Sequence, residues 1–197
     1  VIAGFHSNQK IDAELYKLGM KDSKKMDDAA VCQMSKTIQE LFPDRFYILS
    51  LEPERYNTWY SQGRLAGSNL NHLLAKGHAM VIEELLESGI QTEIILADLF
   101  GDPEYIQNAL YQSGQKLSLI ETEHASLQMG VAAAGVLARE TFLTWLKQHS
   151  ELYALDIPKG ASTKAIEAGK LLLARYGRDA LKKTCKLHFK TLKQVII

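Results

Sequence analysis

Residues 93–103 read EIILADLFGDP, and the order of these side chains decides the fold class. Ile94, Ile95, Leu96 and Ala97 make an apolar run too short for a helix and rich in the branched side chains that suit a strand. A strand apolar on both faces belongs in a sheet covered on both sides, and its first polar residue, Asp98, marks where it leaves the core. Ligand and catalytic groups collect at strand ends in such sheets. A carboxylate at that point either caps the following turn or has chemistry to perform. Capping falls to Asp102, because Asp102-Pro103 sets an N-cap residue before a proline at the first helical position.

Outward from this strand, short β-like runs alternate with longer amphipathic ones, the pattern of an α/β domain. Val1 to Phe5, Arg45 to Leu51 and Leu117 to Ile120 read as further strands. Apolar spacing predicts helices from about Met26 to Leu41, ending before Pro43, and from about Asn69 to Leu86, with Gly89 as the stop. Another is expected near Tyr105 to Tyr111. The run SLQMGVAAAGVLARETFLTWLKQH, 126–149, is a helix whose small side (Gly130, Ala133, Ala134, Ala138) allows close packing. Ser162 can cap a last helix through about Arg175.

Composition limits the class. A chain of 197 residues, 46% hydrophobic, suits one domain over 1–197. Its 23 basic residues balance 23 acidic ones, so whole-chain charge demands no polyanionic partner, although a local basic groove stays open. Cys32 and Cys185 are far apart and lack metal-ligand spacing, which fits two ordinary thiols in a reducing compartment. No apolar run nears the roughly 18 to 20 residues that span a bilayer. The opening VIAGFHSNQK has neither the positive region nor the cleavage site of a signal peptide, and reads as a strand entered halfway. A soluble, cytoplasmic protein is expected. Neither phosphate-binding glycine motif, G-x-G-x-x-G or G-x-x-x-x-G-K-[ST], occurs, nor does G-x-S-x-G, which argues against a nucleotide-binding protein and a serine hydrolase.

Several segments, in their order, resemble the type 2 ribonucleases H, and the ribonuclease HIII branch in particular. KLGMKDSKKM (17–26) is similar to the family's KDSKKL-type segment, and LEPERYN (51–57) with SNLNHLLAKGHAMVIEELL (68–86) to the branch's PxxYN stretch and the long helix behind it. IILADLFGD resembles the strand that carries the third acidic metal ligand. GVAAAGVLARETFL (130–143) is similar to the VAAASIIAR helix, IPKGAS (157–162) to the LPKGAG loop, and KLHFKT (186–191) to the KLHFKN ending. The resemblance covers nearly the whole chain. It implies a ribonuclease H-like mixed sheet of five strands flanked by helices, of which this chain would supply the last four. It also implies an endonuclease that cuts the RNA strand of an RNA/DNA hybrid, using two Mg²⁺ or Mn²⁺ ions held by four carboxylates, one of them Asp98. One ion would activate water and the other would stabilise the leaving 3′-oxygen. A monomer is expected.

The sequence departs from the family pattern twice. The first two acidic ligands, an adjacent Asp-Glu, lie in the family on a strand that would end just before Val1, and Asp12 and Glu14, expected in a turn, do not replace them. Either the chain lacks its N-terminus or the molecule is not a complete nuclease. The fourth acidic ligand should fall at Ala125, counting back from Gly135. Glu123 can recover the role, since two residues of extended chain keep it on the same face as position 125. Glu121 is the other candidate, and both glutamates could instead be solvated loop residues.

Substrate contacts are expected from Lys21, Ser23 and Lys24, with Lys25 beside them, where lysine charge, a hydroxyl and backbone amides can hold a phosphate. The plainer alternative is a turn that Asp22 or Ser23 caps. Lys159 and Gly160 form a second such turn. Asn69 and Asn71 could read the 2′-hydroxyls that tell RNA from DNA. His78 reads as a core histidine, His124 as an exposed one, and Tyr56, Trp59 and Tyr60 as packing. The HII branch has a Tyr that recognises an RNA-to-DNA junction where Ala161 stands here, so runs of ribonucleotides should be preferred to a single one. The competing reading is an inactive hybrid-binding relative.

Overall fold

In a computed structural model the chain is described from Val1 to Ile196, except Pro103 and Gln112, with Ile197 also outside the described residues. It forms two compact units. The first comprises 1–50 and 69–141, and the second 51–68 and 142–197.

The first unit holds all four expected strands, β1 (Ile2–Phe5), β2 (Phe46–Leu49), β3 (Ile94–Asp98) and β4 (Ser118–Thr122). β1 and β2 pair antiparallel, Ile2 opposite Leu49, whereas β3 and β4 pair parallel, Ala97 opposite Glu121 and Asp98 opposite Thr122. The mixture of senses agrees with expectation. Hydrogen bonding nevertheless joins the strands as two pairs, with no ladder between the pairs among the described residues.

Helix α4 (Leu70–Glu87) underlies the β1/β2 pair because glycines face it on both sides. A Cβ on Gly77 would run into Ile2, and one on Gly4 would lie 2.7 Å from Val81 and Leu85. The same helix, with α5 (Glu104–Ala109), covers one face of β3/β4, where Ala75, Ala79, Ala97, Ile106 and Leu110 form a closed core. Ile95 and Leu119 add to that face. The opposite face departs from the two-sided cover expected of an apolar strand, since Ile120 is 47% exposed. The proline expected to open α5, Pro103, lies outside the described residues, but Asp102 caps as expected, accepting from the Glu104 amide at 3.0 Å.

Residues 9–17, expected as a turn, are helix α1 (Gln9–Lys17), so Asp12 and Glu14 are helical. The Asn8 side chain caps it, and Ile11 and Leu15 are its only buried residues. Next come a single 3-10 turn, Ser23–Lys25, and helix α2 (Asp28–Leu41), which Asp27 caps through the Ala30 amide. The long helix α6 (Met129–Leu152) buries Ala133 and Ala134 of its expected small-residue side, together with Ala132, Val136 and Leu137, while Gly130 and Ala138 are half-buried. The boundary between the units falls within it.

The second unit consists of α3 (Pro53–Leu65), the end of α6, α7 (Thr163–Thr184) and α8 (Thr191–Ile196) around Leu172, Ala180, Leu181 and Val195. α7 begins after Ser162 as expected, although the Ser162 side chain makes no capping bond. Its expected end near Arg175 corresponds to a break at Gly177, whose φ of 76° a glycine adopts without strain. Asn57 on α3 stitches this unit together. Its amide donates to the carbonyls of Lys182 and Cys185, and its oxygen accepts from the Leu187 amide at 2.9 Å. Tyr56 and Tyr60 stack with each other and Tyr60 with His188, so both tyrosines are packing groups, as expected.

Candidate active site

Asp98 is the last residue of β3. Side chains alternate along a strand, so Asp98 points away from the face that buries Ala97. Its Oδ1 accepts from the Ser126 amide at 3.2 Å, and the Ser126 hydroxyl donates to Asp22 Oδ2 at 3.0 Å. One serine thus links the strand end to the KDSKK segment, 104 residues away in sequence.

Asp22 is the cap of the 3-10 turn, as the plainer reading of that segment had it, its Oδ1 accepting from the Lys24 amide at 3.0 Å. That bond holds the Asp22 carboxyl below the usual carboxylate range, helped by the Ser126 hydroxyl and the charges of Lys24 and Lys25 and opposed by partial burial. Lys21, Lys24 and Lys25 are exposed around it. The Ser23 side chain lies beside Gly135 of α6, where a Cβ would stand 3.5 Å from its hydroxyl. From the same helix Arg139 grips the turn, donating to the carbonyls of Ser23 and Met26 and to Asp28 at 2.7 Å.

On the other side of β3 the chain turns through Phe100, Gly101 and Asp102. Asn71 abuts Gly101 so closely that a Cβ there would lie 2.5 Å from its amide nitrogen. Asn71 therefore sits at this end of the strand pair. Asn69, for which a sugar contact was expected, is exposed and also has a structural role. It is the N-cap of α4, reciprocally bonded with His72, and its amide donates to the Tyr105 hydroxyl at 2.9 Å. His78 stacks on Phe100, ring centroids 5.2 Å apart. Burial pushes its pKa down to about 4, the Asp98 charge working in the other direction. It is a core histidine, as expected.

The spacing argument for Glu123 does not hold. Residues 123–125 are not extended, because His124 turns at φ 63° and a 3-10 turn starts at Ala125. Glu123 is exposed in that turn, and His124 is exposed as well. Glu121 lies in β4 on the side of Ala97, one of its oxygens buried without a partner. Burial raises its pKa, and the charge of Asp102 adds to this. Ala125, at the position of the family's fourth ligand, is buried to 1% exposure. Lys159 and Gly160 belong to the second unit, in the connection between α6 and α7, where Gly160 takes a φ of 83°.

Ser126 and Arg139 are what the sequence reading missed. Arg139 stands at the Arg of the VAAASIIAR-like segment, but neither that motif nor any other shows the partners of these two residues, because the contacts join segments remote in sequence.

The ribonuclease HII family model matches residues 1–192. The chain belongs to that family. Among curated relatives, the ribonuclease HIII of Protochlamydia amoebophila is 37% identical over 196 residues, covering 99% of this chain and 62% of the relative. The ribonuclease HIII of Chlamydia felis is 34% identical, covering 98% and 63%. The crystal structure of Bst-RNase HIII in complex with Mn²⁺ superposes with a TM-score of 0.85 at 25% identity, over 98% of this chain and 63% of that one. Aquifex aeolicus RNase H3 shares the fold at a TM-score of 0.71 and 23% identity, over 96% of this chain and 68% of that one. The chain therefore spans less than two thirds of the length of these curated relatives. Family membership agrees with the α/β class, and among the described residues no helix is long and apolar enough to cross a membrane.

Proposed function

We propose that the protein carrying this chain is a metal-dependent ribonuclease H, an endonuclease that cuts the RNA strand of RNA/DNA hybrids and leaves 5′-phosphates. The observation that carries this reading is the link through Ser126, which sets the Asp98 carboxylate at a strand end beside a turn bearing three exposed lysines. Cationic side chains can hold the phosphate backbone, and a carboxylate at the strand end can serve as a ligand for a hard divalent cation beside it. Lys21, Ser23 and Lys24 are assigned to the hybrid backbone, Asn71 to its sugars, and Lys159 with Gly160 to a further phosphate. The protein acts as a monomer in the cytoplasm.

Mg²⁺ or Mn²⁺ is the cofactor this reading calls for, and such hard ions are held by several oxygen ligands. The described residues do not fit a complete site, for no three His, Cys, Asp or Glu among them are grouped to hold an ion. Asp98 is the ligand we assign. Glu123 stays a weaker candidate, exposed on its turn. Asp98 orients its carboxylate on the Ser126 amide, and the lysine turn binds and places the phosphate.

A second reading, a hybrid-binding relative that does not cut, is favoured by Ala125 in place of an acidic residue. One experiment separates the two. The full-length protein and Asp98→Asn are given labelled hybrids, one with a run of ribonucleotides and one with a single ribonucleotide, and binding in EDTA is measured alongside cleavage in Mg²⁺ and Mn²⁺. The nuclease reading expects cleavage of the run, poor cleavage of the single ribonucleotide because Ala161 offers no ring, and loss of cleavage with binding intact in Asp98→Asn. Cleavage by Asp98→Asn at the wild-type rate would remove Asp98 from the mechanism. Binding without cleavage by the wild type selects the second reading.

A further inference from the structure

A serine that donates to two carboxylates from distant segments, one through its amide and one through its hydroxyl, ties those segments together at a single residue. Ser126 occupies that place with both of its donors in use, the amide on Asp98 and the hydroxyl on Asp22. Asp22 in turn closes the 3-10 turn through the Lys24 amide. Arg139 fixes the same turn to α6 by the carbonyls of Ser23 and Met26. The lysine-bearing turn is thereby tied to two rigid elements, the end of β3 and the α6 helix.

The geometry points to Ser126 as a positioning residue that holds the Lys21–Lys25 turn in register with Asp98, so that lysines and carboxylate address one phosphodiester of the hybrid. This inference rests on the hybrid-cleaving reading above and adds to it the residue that couples binding to the reacting position. Ser126 acts through Asp98 and Asp22, the groups to which it donates. Its chemistry is specific all the same, since alanine at 126 keeps the amide hydrogen bond to Asp98 but leaves Asp22 Oδ2 without the hydroxyl donor, whereas threonine supplies the hydroxyl again.

The test uses the full-length protein with Ser126→Ala, Ser126→Thr, Asp22→Ala and the Ser126→Ala/Asp22→Ala pair. Hybrid affinity is measured in EDTA as a function of salt, and kcat and KM in Mg²⁺. Each lysine drawn off a phosphate removes roughly 0.9 from the slope of log affinity against log salt, so Ser126→Ala should flatten that slope by about 1 to 2. It should lower kcat/KM by about tenfold, the effect of one lost hydrogen bond to a charged group. Threonine should restore both. The double variant should lose little more than either single one, because the two side chains act as one link. A Ser126→Ala protein that melts earlier but keeps the wild-type slope and kcat/KM overturns the inference and leaves a structural tie. A wild type that binds hybrid without cutting it overturns the nuclease reading alone, and the slope comparison still decides the role of Ser126.

Discussion

At the end of an apolar strand a carboxylate gives up part of its hydration, and something must donate to it in place of water. The Ser126 amide does this for Asp98. Asparagine in its place still offers an oxygen to that amide, so Asp98→Asn should change unfolding free energy by no more than ~0.5 kcal/mol, in either direction. Urea unfolding of both proteins checks it, and a loss of several kcal/mol would show that the charge itself is structural. His78 leads to a pH prediction. Its pKa in the fold is about 4, lowered by burial from an ordinary 6.5. The unfolded chain therefore binds a proton that the folded one refuses, and stability falls as pH drops from about 6.5 towards 4. The shift sets an upper bound of about 3.5 kcal/mol on that loss, at ~1.4 kcal/mol per pH unit. His78→Phe keeps an aromatic ring against Phe100 and has nothing to protonate, so its stability should fall less over the same range. Parallel pH dependences in the two proteins would place the acid sensitivity elsewhere.

Among the elements, those with a strong apolar period were legible and those held by few contacts were not. The strand 94–98 and the helix 70–87 could be read because their apolar residues repeat at the spacing of their structure and are stopped by Asp98 and Gly89. Helix α1 could not, since it buries only Ile11 and Leu15 and depends on a cap from Asn8. Asp98 was legible as the end of a run. Ser126 was not, because its partners are 28 and 104 residues away and no local pattern records them. The motifs PERYN and KLHFK were legible as separate resemblances, and Asn57 is the physical reason they occur together. Its three bonds to the backbone at Lys182, Cys185 and Leu187 fix the connection between α7 and α8 to α3. Asn57→Ala would leave those groups without side-chain partners, at a cost of about 1 to 3 kcal/mol for each one that water does not reach. A loss of at least ~2 kcal/mol in urea unfolding is expected, together with faster amide exchange at Leu187. Unchanged exchange there would mean that the connection is held by the Tyr60–His188 stack instead.

For the molecule as a whole the question is how many of its acidic residues converge. There are 23, yet no three metal-ligating residues come together among the described ones, and the carboxylate joined to Asp98 through Ser126 is Asp22, which is not one of the family's ligands. Mg²⁺ gives up its water reluctantly and is poorly held by so few protein oxygens. Residues 1–197 expressed alone should therefore fold, bind hybrid through their lysines with affinity that falls steeply with salt, and show no metal-dependent cleavage. An ion present at its own Kd stabilises a fold by only about 0.4 kcal/mol, so Mg²⁺ or Mn²⁺ at ~10 mM should barely move the melting temperature if the site binds no tighter than that. Melting curves with and without metal, beside a cleavage assay of the same sample, make the check. A rise of several degrees, or robust cutting by this piece, would mean that Glu121, Glu123 or another acid builds an ion site with Asp98. Glu123 is then the first residue to replace, because Glu121 lies on the Ala97 side of the strand pair and Asp98 points to the other.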